Sequence, residues 1–136
     1  MSCTTNYMEV VVDASAFLSV VLNEADRKWV IEKTSGFSLI APEILPYEIA
    51  NALTAMKKKR RLTDREALKA FNISQGIPVR LVPIRIYDAL KIAIRRNIYA
   101  YDAFYIQCCL ETKSPLISLD ARMGEVAESL SIKVAT

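Results

Sequence analysis

Four carboxylates stand where a globular chain has little reason to keep them. Asp102 lies in an apolar helical stretch, with Ile98, Tyr99, Tyr105 and Ile106 three or four residues away. Glu48 shares a helix face with Ile44, Leu45 and Ala52, and Asn51 is its one polar neighbour there. Asp13 closes the apolar run Glu9–Val12, and Asp120 follows a short apolar run over 116–119. Acidic side chains are rarely buried without a partner. If they converge, these four cannot all ionise without compensation. A hard divalent cation, Mg²⁺ or Mn²⁺, is the natural compensation, because it takes carboxylate and water oxygens and leaves positions open for phosphate. Such a centre lowers the pKa of bound water and neutralises charge on a scissile phosphate. Ser15 and Ser118 are placed to hydrogen-bond the carboxylates or their waters. Blander readings stand beside these. Asp13 could be a helix N-cap, Glu48 a partly exposed residue at the edge of its stripe, and either serine an ordinary cap or strand-end hydroxyl.

The elements that must position these groups follow from the apolar pattern. The strand Glu9–Val12 feeds a helix over 16–22, and an amphipathic helix covers 24–34, ended by Ser35-Gly36. A strand at 37–40 precedes a long helix from Pro42 to about Arg60, with Pro46 tolerated only near its first turn. Thr63 and Glu66 have capping-box spacing and open a helix to Gln75-Gly76. A strand at 79–82 leads to a helix over 85–96, whose core face is expected to be Ile86, Leu90, Ala93 and Ile94. A helix over 99–112, a strand over 116–119, a helix over 122–130 and a closing strand at 132–134 complete the chain. Short strands alternating with helices imply an α/β fold with a parallel sheet and helices on both faces. In such sheets the carboxyl ends of the strands form the ligand edge, where Asp13 and Asp120 fall.

Composition narrows the chemistry. At 136 residues the chain is expected to form one domain, with no linker or internal repeat. There is no histidine, so Ser-His-Asp and Cys-His nucleophilic machinery is excluded. The glycines, Gly36, Gly76 and Gly124, are too scattered for a phosphate-cradling loop. The three cysteines have no Cys-x-x-Cys spacing, which makes a zinc cage improbable, and adjacent Cys108 and Cys109 in an apolar helix read as reduced, small hydrophobes of a cytoplasmic protein. No apolar run is long enough to span a membrane, and the N-terminus lacks the pattern of a signal peptide. Lys+Arg 18 against Asp+Glu 15 leaves +3, which permits a polyanionic partner without demanding one. The cations Lys57, Lys58, Lys59, Arg60 and Arg61 complement a helix C-terminus and can also touch phosphates; the solvated helix end is the simpler reading.

Asp13-Ala14-Ser15, then Pro46-Tyr47-Glu48-Ile49-Ala50-Asn51-Ala52-Leu53, then Tyr101-Asp102-Ala103, then Ser118-Leu119-Asp120 resemble the four acidic motifs of the PIN domain. Within that family the chain is most similar to the VapC toxins of prokaryotic toxin–antitoxin pairs. The resemblance covers nearly the whole chain, in order. It implies a three-layer α/β/α fold with a short-stranded central parallel sheet. It also implies a Mg²⁺- or Mn²⁺-dependent endoribonuclease, usually a homodimer, neutralised by a small antitoxin. Carried over, Asp13, Glu48, Asp102 and Asp120 would be the metal-binding acids, with Ser15, Asn51 and Ser118 as polar support. The basic run and Arg95-Arg96 would attract RNA backbone. Two departures stand out. The leader before Asp13 is slightly longer than in many such toxins, and the fourth motif continues Ala-Arg-Met with no acid until Glu125, which bears on a second metal ion.

Other classes are compatible with acids at strand ends. A receiver-like phosphoacceptor would want paired acids after the first strand, where only Asp13 stands, and a late lysine where the chain has Arg122. A non-catalytic binding module would keep the acids only as caps and exposed charges. A stand-alone RNA-processing nuclease would share the metal chemistry without an antitoxin.

Overall fold

The computed structural model describes residues 8–135; the leader at 1–7, including Cys3, lies outside the described residues. Strands β1 (Glu9–Val12), β2 (Ser38–Pro42), β3 (Arg80–Val82) and β4 (Leu116–Ile117) form one sheet, ordered β3-β2-β1-β4, with every pair parallel. Val11 pairs with Ile40 on one side and Leu116 on the other. Val10, Val11 and Val12 are fully buried, as a central parallel strand covered on both faces requires. The chain lays β2 and β3 to one side of β1, then returns to place β4 on the other. The topological switch therefore falls between β1 and β4, which is where such sheets open a crevice at their carboxyl ends.

The helices are α1 (Ala14–Val21), α2 (Arg27–Thr34), α3 (Leu45–Lys58), α4 (Asp64–Gln75), α5 (Ile86–Arg96), α6 (Ala100–Thr112) and α7 (Ala121–Ser129). Helix α1 packs on α2, α3 and α4, whereas α6 packs on α5 and α7 and against β1, β2 and β4. This gives the expected three-layer α/β/α arrangement. Leu45, Ile49 and Leu53 bury one stripe of α3, each side chain contributing about 1.5–3 kcal/mol by leaving water. The capping box of α4 forms as its spacing implies, with reciprocal Thr63–Glu66 hydrogen bonds of 2.9 and 3.1 Å.

Three expectations need correction. The long helix does not begin at Pro42. Pro42 ends β2 in register with Val82, and the Glu43 N–H donates to Val82 O at 3.2 Å, so α3 starts three residues later with Pro46 in its first turn. The closing strand at 132–134 reduces to a single parallel bridge between Val134 and Leu116, because β4 is only two residues long. The face expected to bury α5 does so only at Ala93. Ile86, Leu90 and Ile94 are exposed, Ile86 and Ile94 at 64% and 71%, while Ala89 and Ala93 turn inward to meet Ala103 of α6. Small residues permit close helix approach, and that contact outweighed the larger stripe.

Candidate active site

Asp13 is the buried centre, 3% exposed at the carboxyl end of β1. Both its oxygens are engaged. Ser15 Oγ donates to Oδ1 at 2.7 Å, the Ala16 N–H donates to the same oxygen at 3.0 Å, and Ser118 Oγ donates to Oδ2 at 2.6 Å. The two serines in turn accept from the segment after β4. The Leu119 N–H donates to Ser15 Oγ at 3.1 Å and the Asp120 N–H to Ser118 Oγ at 2.9 Å. The ends of two neighbouring strands are thereby laced together through one carboxylate. Asp13 also caps α1, and Asp120 caps α7 by accepting from the Met123 N–H at 3.1 Å. The bland cap reading and the clustered reading are both true of these two residues.

Glu48 and Asp102 arrive from other elements. Each sits in the first turn of its helix, α3 and α6, and neither is the cap. All four acids thus occupy helix starts, where the partial positive charge of the helix favours an anion. That does not offset their crowding. Burial raises the Asp13 pKa, with a further push from Asp120, although Ser118, Ala16 and Ser15 pull it back. Burial also raises Glu48, against the lowering effect of Tyr105, and Asp102 and Asp13 push it further. Asp102 is raised by burial and then by Asp120 and Asp13. Glu48 and Asp102 each feel two of the other acids and Asp13 feels Asp120, so the four carboxylates form one chain of electrostatic neighbours.

Among the described residues, no three acidic or thiol side chains close tightly enough to enclose an ion as they stand. The donor set still fits a hard cation: it is all carboxylate oxygen, and Glu48 Oε1 is buried without any hydrogen-bond partner. A separate hollow of about 610 Å³ lies at the opposite sheet edge, lined by Met8, Phe37, Leu110, Pro115 and Ile132, away from the acids.

Other sequence-derived candidates fare differently. Ser15 and Ser118 join the acids directly. Asn51 is exposed, with no described hydrogen bond to the acids. Lys57, Lys58, Lys59, Arg60 and Arg61 are exposed at the far end of α3, and Lys57 pairs with Asp64 at 3.2 Å. Lys57 lies nine helical steps beyond Glu48, about 13 Å along the axis. Arg95 is exposed, but Arg96 donates to Ser129 Oγ at 3.0 Å, at the end of α7 remote from Asp120. Arg122, in the first turn of α7, donates to the Arg96 carbonyl at 2.9 Å. Cys108 and Cys109 are free and buried, and burial pushes the Cys108 thiol up to about 12. Tyr105 was legible only as an apolar residue; the effect of its hydroxyl on Glu48 is what hydrophobic pattern concealed.

Acids from four helix starts stand toward the carboxyl ends of a short parallel sheet in a small α/β/α domain. The chain belongs to the PIN domain family, which matches it over residues 10–129. It is 27% identical over 125 residues to the VapC ribonuclease Mb0985 of Mycobacterium bovis, covering 88% of this chain and 92% of that one. Ribonuclease VapC3 of Pyrobaculum aerophilum is 25% identical over 124 residues, covering 87% and 94%. Two solved structures share the fold. PAE2754 from Pyrobaculum aerophilum has a TM-score of 0.67 at 22% identity, covering 91% of this chain and 87% of that one. VapBC2 from Rickettsia felis, bound to a promoter DNA fragment, has a TM-score of 0.67 at 6% identity, covering 94% and 98%. Among the described residues no helix is long and apolar enough to cross a membrane.

Proposed function

We propose that this protein is a metal-dependent endoribonuclease that hydrolyses RNA phosphodiester bonds, acting in the cytoplasm as the toxin of a type II toxin–antitoxin pair. The observation that carries the reading is the mutual crowding of Asp13, Glu48, Asp102 and Asp120, drawn from four helix starts. Helix capping accounts for Asp13 and Asp120 alone; Glu48 and Asp102 cap nothing, which disfavours a non-catalytic module. The relatives named as ribonucleases support the same reaction.

In this reading the four acids hold Mg²⁺ or Mn²⁺, and Ser15 and Ser118 fix the orientation of Asp13. When bound, such an ion lowers the pKa of its water and offsets charge on the scissile phosphate. Asp13 and Asp120, laced together, give the rim its fixed side, while the half-buried Glu48 and Asp102 close from the other. Exposed Lys58, Lys59, Arg60 and Arg61 meet backbone phosphates a few nucleotides away, and Arg95 contributes from α5. Single-stranded or looped RNA suits a rim this open. An antitoxin would lie over the acids and could pair an arginine with them. A homodimer would cover the exposed Ile86–Leu90–Ile94 stripe of α5. The test is RNA cleavage by wild type and Asp102→Asn, with and without EDTA. Cleavage that survives either the substitution or chelation removes the metal mechanism.

A further inference from the structure

Among the described residues, two buried side-chain polar atoms lack any hydrogen-bond partner: Glu48 Oε1 and the Tyr105 hydroxyl. They are neighbours, each acting on the other's proton affinity through a contact that falls short of full hydrogen-bond geometry. Native interiors rarely leave such groups unpaired, and two together in an otherwise satisfied region call for a reason. Packing does not supply one. Tyr105 is 1% exposed, and a phenylalanine would fill the same space without the orphan. Tyr105 also lies three residues after Asp102, on the same face of α6, and its hydroxyl feels Glu48, Asp13 and Asp102.

We propose that Tyr105 is a positioning residue for Glu48: its hydroxyl donates to Glu48 Oε1 and holds the carboxylate turned toward the rim when a divalent cation is present. This inference rests on the metal-dependent nuclease reading. A neutral donor suits the task. It satisfies a lone pair on the buried oxygen while leaving the negative charge for the ion, and it adds no cation that would compete. Asp13 and Asp102 repel Glu48, so without such a donor the carboxylate has nothing to hold it in place. Partners behind ligating carboxylates commonly work this way, and their loss weakens metal binding.

The test is Mn²⁺ binding, read from the spin-resonance signal of free Mn²⁺, together with melting of the metal-free protein. Tyr105→Phe removes only the hydroxyl. Its Mn²⁺ dissociation constant should rise about 10-fold or more, while the metal-free melting temperature holds or rises because an unpaired buried hydroxyl has gone. In a Glu48→Ala background the same substitution should change Mn²⁺ affinity no further. An unchanged dissociation constant for Tyr105→Phe, a lowered metal-free melting temperature, or a further loss in the Glu48→Ala background overturns the role of Tyr105. Wild-type protein that takes up no Mn²⁺ overturns the metal reading itself, so the two failures are distinguishable.

Discussion

Ser118→Ala should destabilise the fold in a way that depends on pH. The serine hydroxyl makes a 2.6 Å bond to the buried Asp13 Oδ2, a charge-assisted contact when Asp13 is ionised. Losing a hydrogen bond to a charged group costs about 1.5–3 kcal/mol. The Asp120 N–H that Ser118 also accepts belongs to an exposed residue, so water replaces that contact at little cost. The expected loss at neutral pH is about 2 kcal/mol, a fall of about 4–8 °C in melting temperature for a chain of this size. Ser118 lowers the Asp13 pKa, so its removal raises that pKa further. In the variant the ionised carboxylate is less well held, and the deficit grows as pH rises. Below the pKa in both proteins Asp13 is neutral and the deficit shrinks. Thermal melts of both proteins across acid to neutral pH measure this. A deficit below about 0.5 kcal/mol, or one equal at both ends of the range, would show that Ser118 does not hold an ionised Asp13.

Other outcomes follow from the same electrostatics. The metal-free protein should lose stability as pH rises through the raised pKa values of Asp13, Glu48 and Asp102, because the folded chain binds more protons than the unfolded one in that window; a melting temperature that climbs steadily from the ordinary carboxylate range to neutrality refutes this. Mn²⁺ should raise the melting temperature more at neutral than at mildly acidic pH, since ligands must be deprotonated. Asp102→Asn should abolish cleavage yet leave the metal-free melting temperature equal or higher, because a like charge is removed; a clear drop would make Asp102 a structural residue. In an inactive background, Lys58→Ala with Lys59→Ala should flatten the salt dependence of RNA binding by about 0.7 per lost contact. Lys57→Ala should do less, because Asp64 already pairs with that lysine; equal slopes for all three would place the RNA elsewhere.

The parts visible in the sequence are those where one residue type admits few explanations. A lone acid on an apolar helix face marked Glu48 and Asp102, and an acid closing an apolar run marked Asp13 and Asp120. The threonine–glutamate spacing set the start of α4. Where physics depends on tertiary neighbours, pattern misled. Of the stripe Ile86, Leu90, Ala93 and Ile94 only Ala93 turns inward, and Ala89 joins it against α6. Pro42 looked like a helix start because its pairing with Val82 lies far off in sequence. Asn51 shared a face with Glu48 on a helical wheel, yet that edge of α3 is solvent. Tyr105 belonged to the apolar count because a phenol's ring and its hydroxyl answer to different neighbours.

The alanine seam between α5 and α6 bears on how Asp102 is held. Ala103, next to Asp102, is buried with Ala89 and Ala93, and Ile92 and Phe104 pack around them, so small side chains line the centre of the joint between the two helices. Helix α6 carries Asp102 at one end and is gripped by the sheet along its other face. Added bulk in the seam would tilt that carboxylate relative to Asp13 without altering any acid. Mg²⁺, Mn²⁺ and Ca²⁺ differ chiefly in radius and in tolerance of irregular coordination. In the metal-dependent reading proposed above, the methyl-lined joint would be a calliper by which ionic size could be selected from outside the ligand set.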